Sequence, residues 1–295
     1  MLAIVIPYYK SAYFEQTLQS LENQTNRQFS VYIGDDASPE NPAGIISKFE
    51  GKIAINYKRF DQNFGGISLT KQWKRCLEMT QDEQWVMILG DDDVLGENVV
   101  EEFYDSIEKI KENNCNVIRL ATQKIDNDSN IRSDVYQHPE VEKSTAFLTR
   151  IYAENSRSSL SEYIFNKEIL MRKGIIDFPV AWHSDIVLVL EISDFKEVYS
   201  INSAVVSVRV SQESISGSNS YIKPKAKADF QFAGYLIRNL RKFTPEEQKA
   251  IIPRIEKLAL NNRKQFKFGL KIILLYLSRM EFPKTFSFIY KSIKK

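Results

Sequence analysis

Residues 85–95 read WVMILGDDDVL. Val86–Leu89 is an apolar run with the length of a short buried strand, and Gly90 ends it. Three consecutive carboxylates follow, Asp91, Asp92 and Asp93, before the apolar Val94 and Leu95. A strand that delivers acidic residues at its carboxyl end puts charge where open α/β sheets take ligands. Adjacent carboxylates repel one another and raise each other's pKa unless something positive sits among them. A hard divalent cation bound to a phosphate-bearing ligand suits such a cluster, because it prefers oxygen. A solvated acidic turn is the plainer alternative, and this stretch alone leaves the two open.

Outward from it, the amino-terminal half alternates strand and helix. Ala3–Tyr8 is a strand-like run stopped at Pro7-Tyr8-Tyr9, after which Phe14, Leu18 and Leu21 share a helix face. Phe29, Val31 and Ile33 alternate as a strand that runs into Gly34-Asp35-Asp36-Ala37-Ser38-Pro39. A short helix with Ile45, Ile46 and Phe49 precedes a strand at Ile53–Tyr57. Past Asn63-Phe64-Gly65-Gly66, a helix carries Leu69, Trp73, Cys76 and Leu77 on one side. A helix with Val99, Phe103, Ile107 and Ile110, then a strand at Val117–Leu120, follow the acidic stretch.

This alternation predicts an α/β fold with a mostly parallel sheet covered on both faces. Right-handed crossovers would align the carboxyl ends of the first, second and fourth strands on one edge. Two acidic turns then share that edge, Asp35-Asp36 and Asp91–Asp93. Asp36 and Ser38 also suit an ordinary turn or cap. A nucleotide accounts for both turns: one aspartate accepts from a base N–H while the cluster takes metal and diphosphate. No glycine-rich dinucleotide fingerprint and no phosphate-loop lysine motif is present, which speaks against a dehydrogenase or a nucleotide triphosphatase.

Composition adds little. The 295 residues are 43% hydrophobic and 26% charged, ordinary for a globular protein, and the net charge of +2 gives no reason to expect a nucleic-acid partner. Cys76 and Cys115 fit no metal spacing and no disulfide framework, which is consistent with a reducing cytosol. The run Leu2–Ile6 is too short for a signal peptide, and no stretch approaches the roughly 20 apolar residues that span a bilayer. A cytoplasmic location is expected.

The ordered series AIVIPYYK, SLENQT, IGDDAS, NFGG and ILGDDDVL, spread over residues 3–95, resembles the inverting family 2 glycosyltransferases of GT-A fold. The resemblance implies that Asp35 and Asp36 contact nucleobase and ribose. It implies that Pro7 and Tyr9 line the nucleotide pocket, and that Asn63, Gly65 and Gly66 pass close to the nucleotide. The family's metal motif falls on Asp91–Asp93, but Gly90 stands where its first aspartate usually lies. The metal ligands expected for Mn2+ or Mg2+ are therefore Asp93 first and Asp91, with Asp92 nearer the ribose or diphosphate.

The middle of the chain supplies the acceptor side. Asp126–Asn130 and Ser133–Val141 read as loops, Ser161–Phe165 as a strand and Lys167–Lys173 as a helix closed by Gly174. Trp182-His183-Ser184-Asp185 then leads into the apolar helix Ile186–Ile192. Its placement is similar to the family's glutamate–aspartate motif, which makes Asp185 the general base and puts Ser184 where glutamate is common. Either residue could instead cap the helix. Trp182 suits stacking on a sugar or burial, and His183 could orient Asp185. Arg209-Val210-Ser211 followed by Ser214-Ile215-Ser216 resembles the end of the family's catalytic domain. Ser211 replaces a histidine that ligates metal in many relatives, so Arg209 is expected to bear on the diphosphate. A surface salt bridge is its alternative.

Beyond Gly217 the composition shifts. Lys223–Lys227 reads as a linker into a helix at Asp229–Arg241, and Thr244-Pro245-Glu246-Glu247 has the capping-box pattern of a second helix, interrupted at Pro253. Residues 254–295 hold eleven Lys or Arg against two Glu, mixed with FGLKIILLYL and Phe282, Phe286, Phe288 and Tyr290. Such a tail suits a helix lying on an anionic membrane surface, or a helical brace on the catalytic part. The expected organisation is a GT-A catalytic domain over residues 1–220, with its donor side in 1–120 and its acceptor side in 121–220, and a basic helical extension over 221–295. The expected partners are a nucleoside-diphosphate sugar, a glycan or lipid-linked glycan acceptor, and the inner membrane face. A nucleotidyltransferase and a non-catalytic carbohydrate-binding protein on the same fold are the alternatives, the second favoured by Gly90 and Ser211.

Overall fold

The structure is a computed structural model describing residues 1–211, 214–215, 217–262 and 266–293. Among these, nine strands build one sheet: β1 (Leu2–Tyr8), β2 (Phe29–Asp35), β3 (Ile55–Arg59), β4 (Trp85–Ile88), β5 (Val94–Leu95), β6 (Val117–Ile125), β7 (Val141–Lys143), β8 (Tyr163–Asn166) and β9 (Glu197–Arg209). The helices of the first half are α1 (Phe14–Glu22), α2 (Ala43–Ile46), α3 (Leu69–Leu77), α4 (Val99–Asp105) and α5 (Ile107–Glu112). Those of the second half are α6 (Ser144–Tyr152), α7 (Lys167–Lys173), α8 (Ser184–Ile192), α9 (Ile222–Asn239), α10 (Pro245–Asn261), α11 (Phe266–Ser278) and α12 (Phe282–Ile293).

The strand order is β3-β2-β1-β4-β8-β6-β9-β5, with β7 also on β9. β1 to β4 are mutually parallel where they pair, as the alternation predicts. β8 lies antiparallel between β4 and β6, and β5 and β7 run antiparallel to β9. The sheet is thus mostly parallel but mixed in its second half. β6 extends to Ile125, five residues past the expected end, because it pairs along its length with β9 across a register shift at Leu120/Ala121.

β1 reads as a continuous apolar run because both its faces are covered. Leu2, Ile4 and Ile6 pack with Phe14, Leu18, Val99 and Phe103, while Ala3 and Val5 pack with Cys76, Leu77, Leu188 and Val189. The chain leaves β1 for β2 and β3, then crosses back to β4 on the other side of β1. That reversal opens a crevice at the carboxyl ends of β1 and β4, where ligands bind in open sheets of this kind.

The carboxyl-terminal helices dock rather than dangle. Ala228, Phe232 and Leu236 of α9, Ile251 and Ile255 of α10, Phe268, Ile272 and Tyr276 of α11 and Phe288 of α12 share a core with Leu148 of α6 and Ile186, Val187 and Leu190 of α8. Two local expectations change here. Lys223–Lys227 is helical, not a linker, because Pro224 falls in the first turn of α9, where backbone N–H groups have no intrahelical partner. α10 runs unbroken through Pro253, since Ile251, Ile252, Ile255 and Ala259 hold it to the core on both sides of the lost bond. The capping box of Thr244 and Glu247 forms as read.

Leu236 is fully buried in this shared core. Leu236→Ala should lower unfolding free energy by about 2–5 kcal/mol in a denaturant titration followed by tryptophan fluorescence. A loss under about 1 kcal/mol would mean that α9 is not docked as described.

Candidate active site

The ends of β1, β2 and β4 are stitched together by backbone polar groups. Asp36 N donates to Tyr8 O at 3.0 Å and Leu89 N to Val5 O at 2.9 Å. Asp91 Oδ2 accepts from the N–H groups of Tyr9 and Lys10 at 2.8 and 3.0 Å. A cavity of about 250 Å³ opens over this edge, walled by Pro7, Tyr9, Asp36, Gly90, Asp91 and Asp93. A smaller one of about 30 Å³, near the volume of one water, lies between Asp91, Asp92, Ser211 and Lys10.

The two aspartates after β2 do different things. Asp35 is fully buried: its Oδ1 accepts from Ser38 N at 2.8 Å, and its Oδ2 from Tyr57 Oη at 2.6 Å and Arg59 Nη1 at 2.8 Å. It is not among the residues lining the cavity; Asp36 is. Asp36 grips the Asn63–Gly66 loop, accepting from Phe64 N and Gly65 N, both at 2.7 Å, and pairing with Arg75. A Cβ on Gly65 would stand 2.5 Å from Asp36 Oδ2, so this loop can close on the carboxylate only with glycine there. Asn63 Oδ1 turns the loop by accepting from Gly66 N at 2.6 Å.

The acidic triplet is strongly perturbed. Burial and the charges of Asp93 and Asp91 push Asp92 up to about 8, against the pull of Arg209. Burial also raises Asp91 and Asp93, with bonds from Tyr9 and Lys10 opposing it at Asp91 and bonds from Ser161 and Arg209 at Asp93. Asp93 is the most enclosed. Its Oδ2 accepts from the Ser161 hydroxyl and its Oδ1 from Arg209 N at 2.8 Å. The Arg209 guanidinium is buried and, among the described residues, makes no salt bridge. It donates to Asp92 O, Asp126 O and Gln16 Oε1 and lies 4.0 Å from the Tyr13 ring centroid.

Asp185 occupies the first turn of α8, and its Oδ2 accepts from the Ser158 hydroxyl. Neither it nor Ser184 caps the helix: His183 is the cap residue, in a left-handed conformation, and Ser184 Oγ donates to Ile176 O at 3.1 Å. His183 does not orient Asp185. Its Nε2 bonds Asp229 Oδ1 at 2.8 Å and its ring stacks on Phe232 at 4.3 Å, because α9 passes on that side. Trp182 is half-buried against the shared core, with Lys225 Nζ 4.6 Å from its ring centroid.

The sequence profile described as "Glycosyl transferase family 2" matches residues 3–173, more than half of the chain. The chain belongs to glycosyl transferase family 2. A 60-residue stretch is 43% identical to "Chondroitin synthase" of Pasteurella multocida (strain Pm70), covering 20% of this chain and only 6% of that enzyme. In three dimensions, S. aureus TarS 1-349 in complex with UDP-GlcNAc matches with a TM-score of 0.61 at 16% identity, over 96% of this chain and 89% of that one. Mannosyltransferase PcManGT from Pyrobaculum calidifontis, in complex with GDP-Man and Mn2+, matches with a TM-score of 0.59 at 14% identity, over 94% and 75%. At these identities the structural likeness speaks for the GT-A fold.

For a family 2 chain the triplet departs from pattern, and the structure gives the reason a side chain does not fit at residue 90. A Cβ on Gly90 would stand 2.9 Å from Asp93 Oδ2 and 3.0 Å from Asp92 Oδ1. Two carboxylate oxygens thus crowd the space that the family's first aspartate would enter. Asp91, Asp92 and Ser211 line the small cavity together with Lys10, and Asp91 and Asp93 line the larger one, so the carboxylates offer the oxygen donors that a hard cation requires. Among the described residues no group of three His, Cys, Asp or Glu side chains converges on a metal position. A Mg2+- or Mn2+-type site needs only one or two protein carboxylates, its other ligands coming from phosphate and water. Of the Ser214-Ile215-Ser216 motif, Ser214 and Ile215 border the two cavities, and Ser216 lies outside the described residues.

Sequence reading missed the segment Ser158–Glu162, placing Ser161 in a strand. Ser159, Leu160 and Ser161 in fact form a wall of the larger cavity, Ser159 capping the 3-10 turn Leu160–Glu162 that precedes β8. The signal was available as Ser159 followed three residues later by Glu162, a capping box that the structure forms. Trp73 and Gln72 of α3 also line the cavity, a role that the helix periodicity does not reveal.

Glu162 is fully buried and, like Asp92, is pushed up to about 8, by burial against the pull of Arg157 and Arg119. Unfolded carboxyls titrate near pH 4, so between about pH 4 and 8 the folded chain holds protons that the unfolded chain releases. Stability from these two groups therefore falls as pH rises through that window. In metal-free buffer, Asp92→Asn should narrow the difference in Tm between about pH 5 and pH 8. An unchanged difference would remove Asp92 as a cause.

Proposed function

We propose that the chain transfers a sugar from a nucleoside-diphosphate sugar to a hydroxyl of a glycan or lipid-linked glycan acceptor, with inversion at the anomeric carbon. The observation that carries this is the meeting of Asp36, Asp91 and Asp93 on one cavity at the β1/β4 crevice. Family membership and the nucleotide-sugar complexes of TarS and PcManGT support it. The partial likeness to chondroitin synthase supports polysaccharide synthesis as the setting.

In this reading Pro7, Tyr9, Asp36 and the Asn63–Gly66 loop hold the nucleoside, with Asp35 fixing the β2–β3 edge behind it. Asp185 accepts the proton of the acceptor hydroxyl as that oxygen attacks the anomeric carbon from the face opposite the diphosphate. Positioned general bases contribute about 10²–10⁴-fold in rate. Asp91 and Asp93 would hold Mn2+ or Mg2+, which when bound supplies Lewis-acid neutralisation of the leaving diphosphate. Asp92 and Arg209 set the local charge around it.

The outer face of α11 and α12 supports contact with the inner membrane surface of the cytoplasm. Phe266, Leu270, Leu274, Leu277, Phe282, Phe286 and Tyr290 are exposed there, with Lys267, Lys271, Lys284 and Lys291 among them. Among the described residues no helix is long and apolar enough to cross a membrane. Each Lys or Arg near anionic lipid contributes about 1 kcal/mol, enough in sum for reversible binding.

Asp185→Asn should keep donor binding, read by thermal shift across a panel of nucleotide sugars with manganese, while transfer falls by about 10²–10⁴-fold. Lost donor binding with normal turnover would make Asp185 a donor-side residue. Chelator should abolish transfer and manganese or magnesium restore it; full activity in excess chelator would exclude metal dependence. The protein should sediment with anionic but not neutral vesicles at low salt and be released by high salt. No sedimentation with anionic vesicles would leave α11 and α12 as a brace alone.

A further inference from the structure

Two carboxylates with different tasks in the proposed reaction are held by one short turn. Ser158 Oγ donates to Asp185 Oδ2 at 2.5 Å. Three residues on, Ser161 Oγ donates to Asp93 Oδ2 at 2.5 Å and accepts from Gly90 N at 3.0 Å. An ionised carboxylate can only accept, and a serine has a single proton. The Tyr163 hydroxyl, 2.8 Å from Ser158 Oγ, is therefore the donor in that pair, and the chain of bonds runs from Tyr163 through Ser158 to Asp185.

The turn between the two serines has little freedom. Ser159 and Glu162 close a reciprocal capping box, with Ser159 N donating to Glu162 Oε2 at 3.0 Å. Ser161 and Glu162 are buried. Tyr163 opens β8, which pairs with β4, the strand that leads into Gly90 and the acidic triplet. One end of the turn is thus tied to the donor-side strand by the sheet itself, and the other reaches across to α8.

We infer that the turn Ser158–Glu162 is a positioning element that sets the acceptor-side carboxylate Asp185 at a fixed place relative to the donor-side carboxylate Asp93. Ser158 and Ser161 are its two positioning residues. The inference rests on the reading of Asp185 as the base that acts on the acceptor. Transfer needs the reacting atoms within about 3–3.5 Å, and a shift of about 1 Å at such a centre can cost 10²-fold, so a common mount for both carboxylates has direct kinetic consequences.

The test uses the full chain with its nucleotide sugar, metal and acceptor. Ser158→Ala should lower kcat by about 10- to 100-fold, the range of a hydrogen bond to a charged group, and leave the donor KM within about twofold. The ratio of transfer to donor hydrolysis should fall with it. Ser158→Thr, which keeps the hydroxyl, should recover most of kcat, and Ser158→Cys, a weaker donor, should lie between. Ser161→Ala should instead raise the donor KM, because it frees Asp93 and the Gly90 N–H. Circular dichroism melting checks that each variant folds. Normal kcat in Ser158→Ala, or equal loss in the alanine and threonine variants, would overturn the inference while an inactive Asp185→Asn kept the reading of the base. If Asp185→Asn itself retained turnover, the base assignment and this inference would both fall.

Discussion

The Asp93 carboxylate is gripped from two distant parts of the chain, by the Ser161 hydroxyl ahead of β8 and by the Arg209 backbone N–H at the end of β9. A buried carboxylate is costly unless its oxygens are bonded, so both partners must arrive for the site to form. Arg209 then extends the dependence. Its guanidinium stacks on Tyr13 and bonds Asp126 O and Gln16, joining the loop after β1, the turn after β6 and helix α1 to the acidic triplet. The triplet is therefore a meeting point of at least four segments rather than a property of one strand end.

Sheet topology places that meeting point. β1 sits between β2 and β4, and the chain reverses its direction of progress there, so the segment after β1 lies at the crevice between the two neighbouring strands. Tyr9 and Lys10 turn theirs to Asp91, which offsets the burial of one carboxylate with two bonds and no side chain. Glycine at residue 90 follows from the same crowding. Asp92 and Asp93 fold back over it, and a side chain would press on the Asp93 oxygen that Ser161 holds in place.

The carboxyl-terminal helices occupy a middle position between ornament and domain. Their inner faces complete a core with α6 and α8, and α8 carries Asp185, so the packing of α9 bears on where Asp185 is held. His183 makes the link explicit: it begins α8 while its ring stacks on Phe232 and bonds Asp229, both in α9. The outer faces of α11 and α12 remain apolar and basic. One stretch thus serves two surfaces, a helix property that follows from its period, with Phe268 and Ile272 turned inward and Leu270 and Leu274 outward.

Local sequence determined what local physics can decide. The apolar runs at Leu2–Ile6 and Val86–Leu89, the helix faces of α1 and α3 and the capping box at Thr244 were all legible, because periodicity and cap chemistry act over a few residues. The acidic ends of β2 and β4 and their common edge were legible as well, since right-handed crossovers leave little choice. Tertiary structure alone decided the use of each acid. Asp35 and Asp36 are chemically identical neighbours, yet strand alternation sends one to Arg59 and Tyr57 and the other to the cavity loop. It also decided that His183 turns to α9, that β8 enters the sheet antiparallel, and that Ser158 and Ser161 reach two carboxylates that lie 27 and 68 residues away along the chain. Such partners are brought together by packing of the whole chain, and no pattern within a window of residues encodes them.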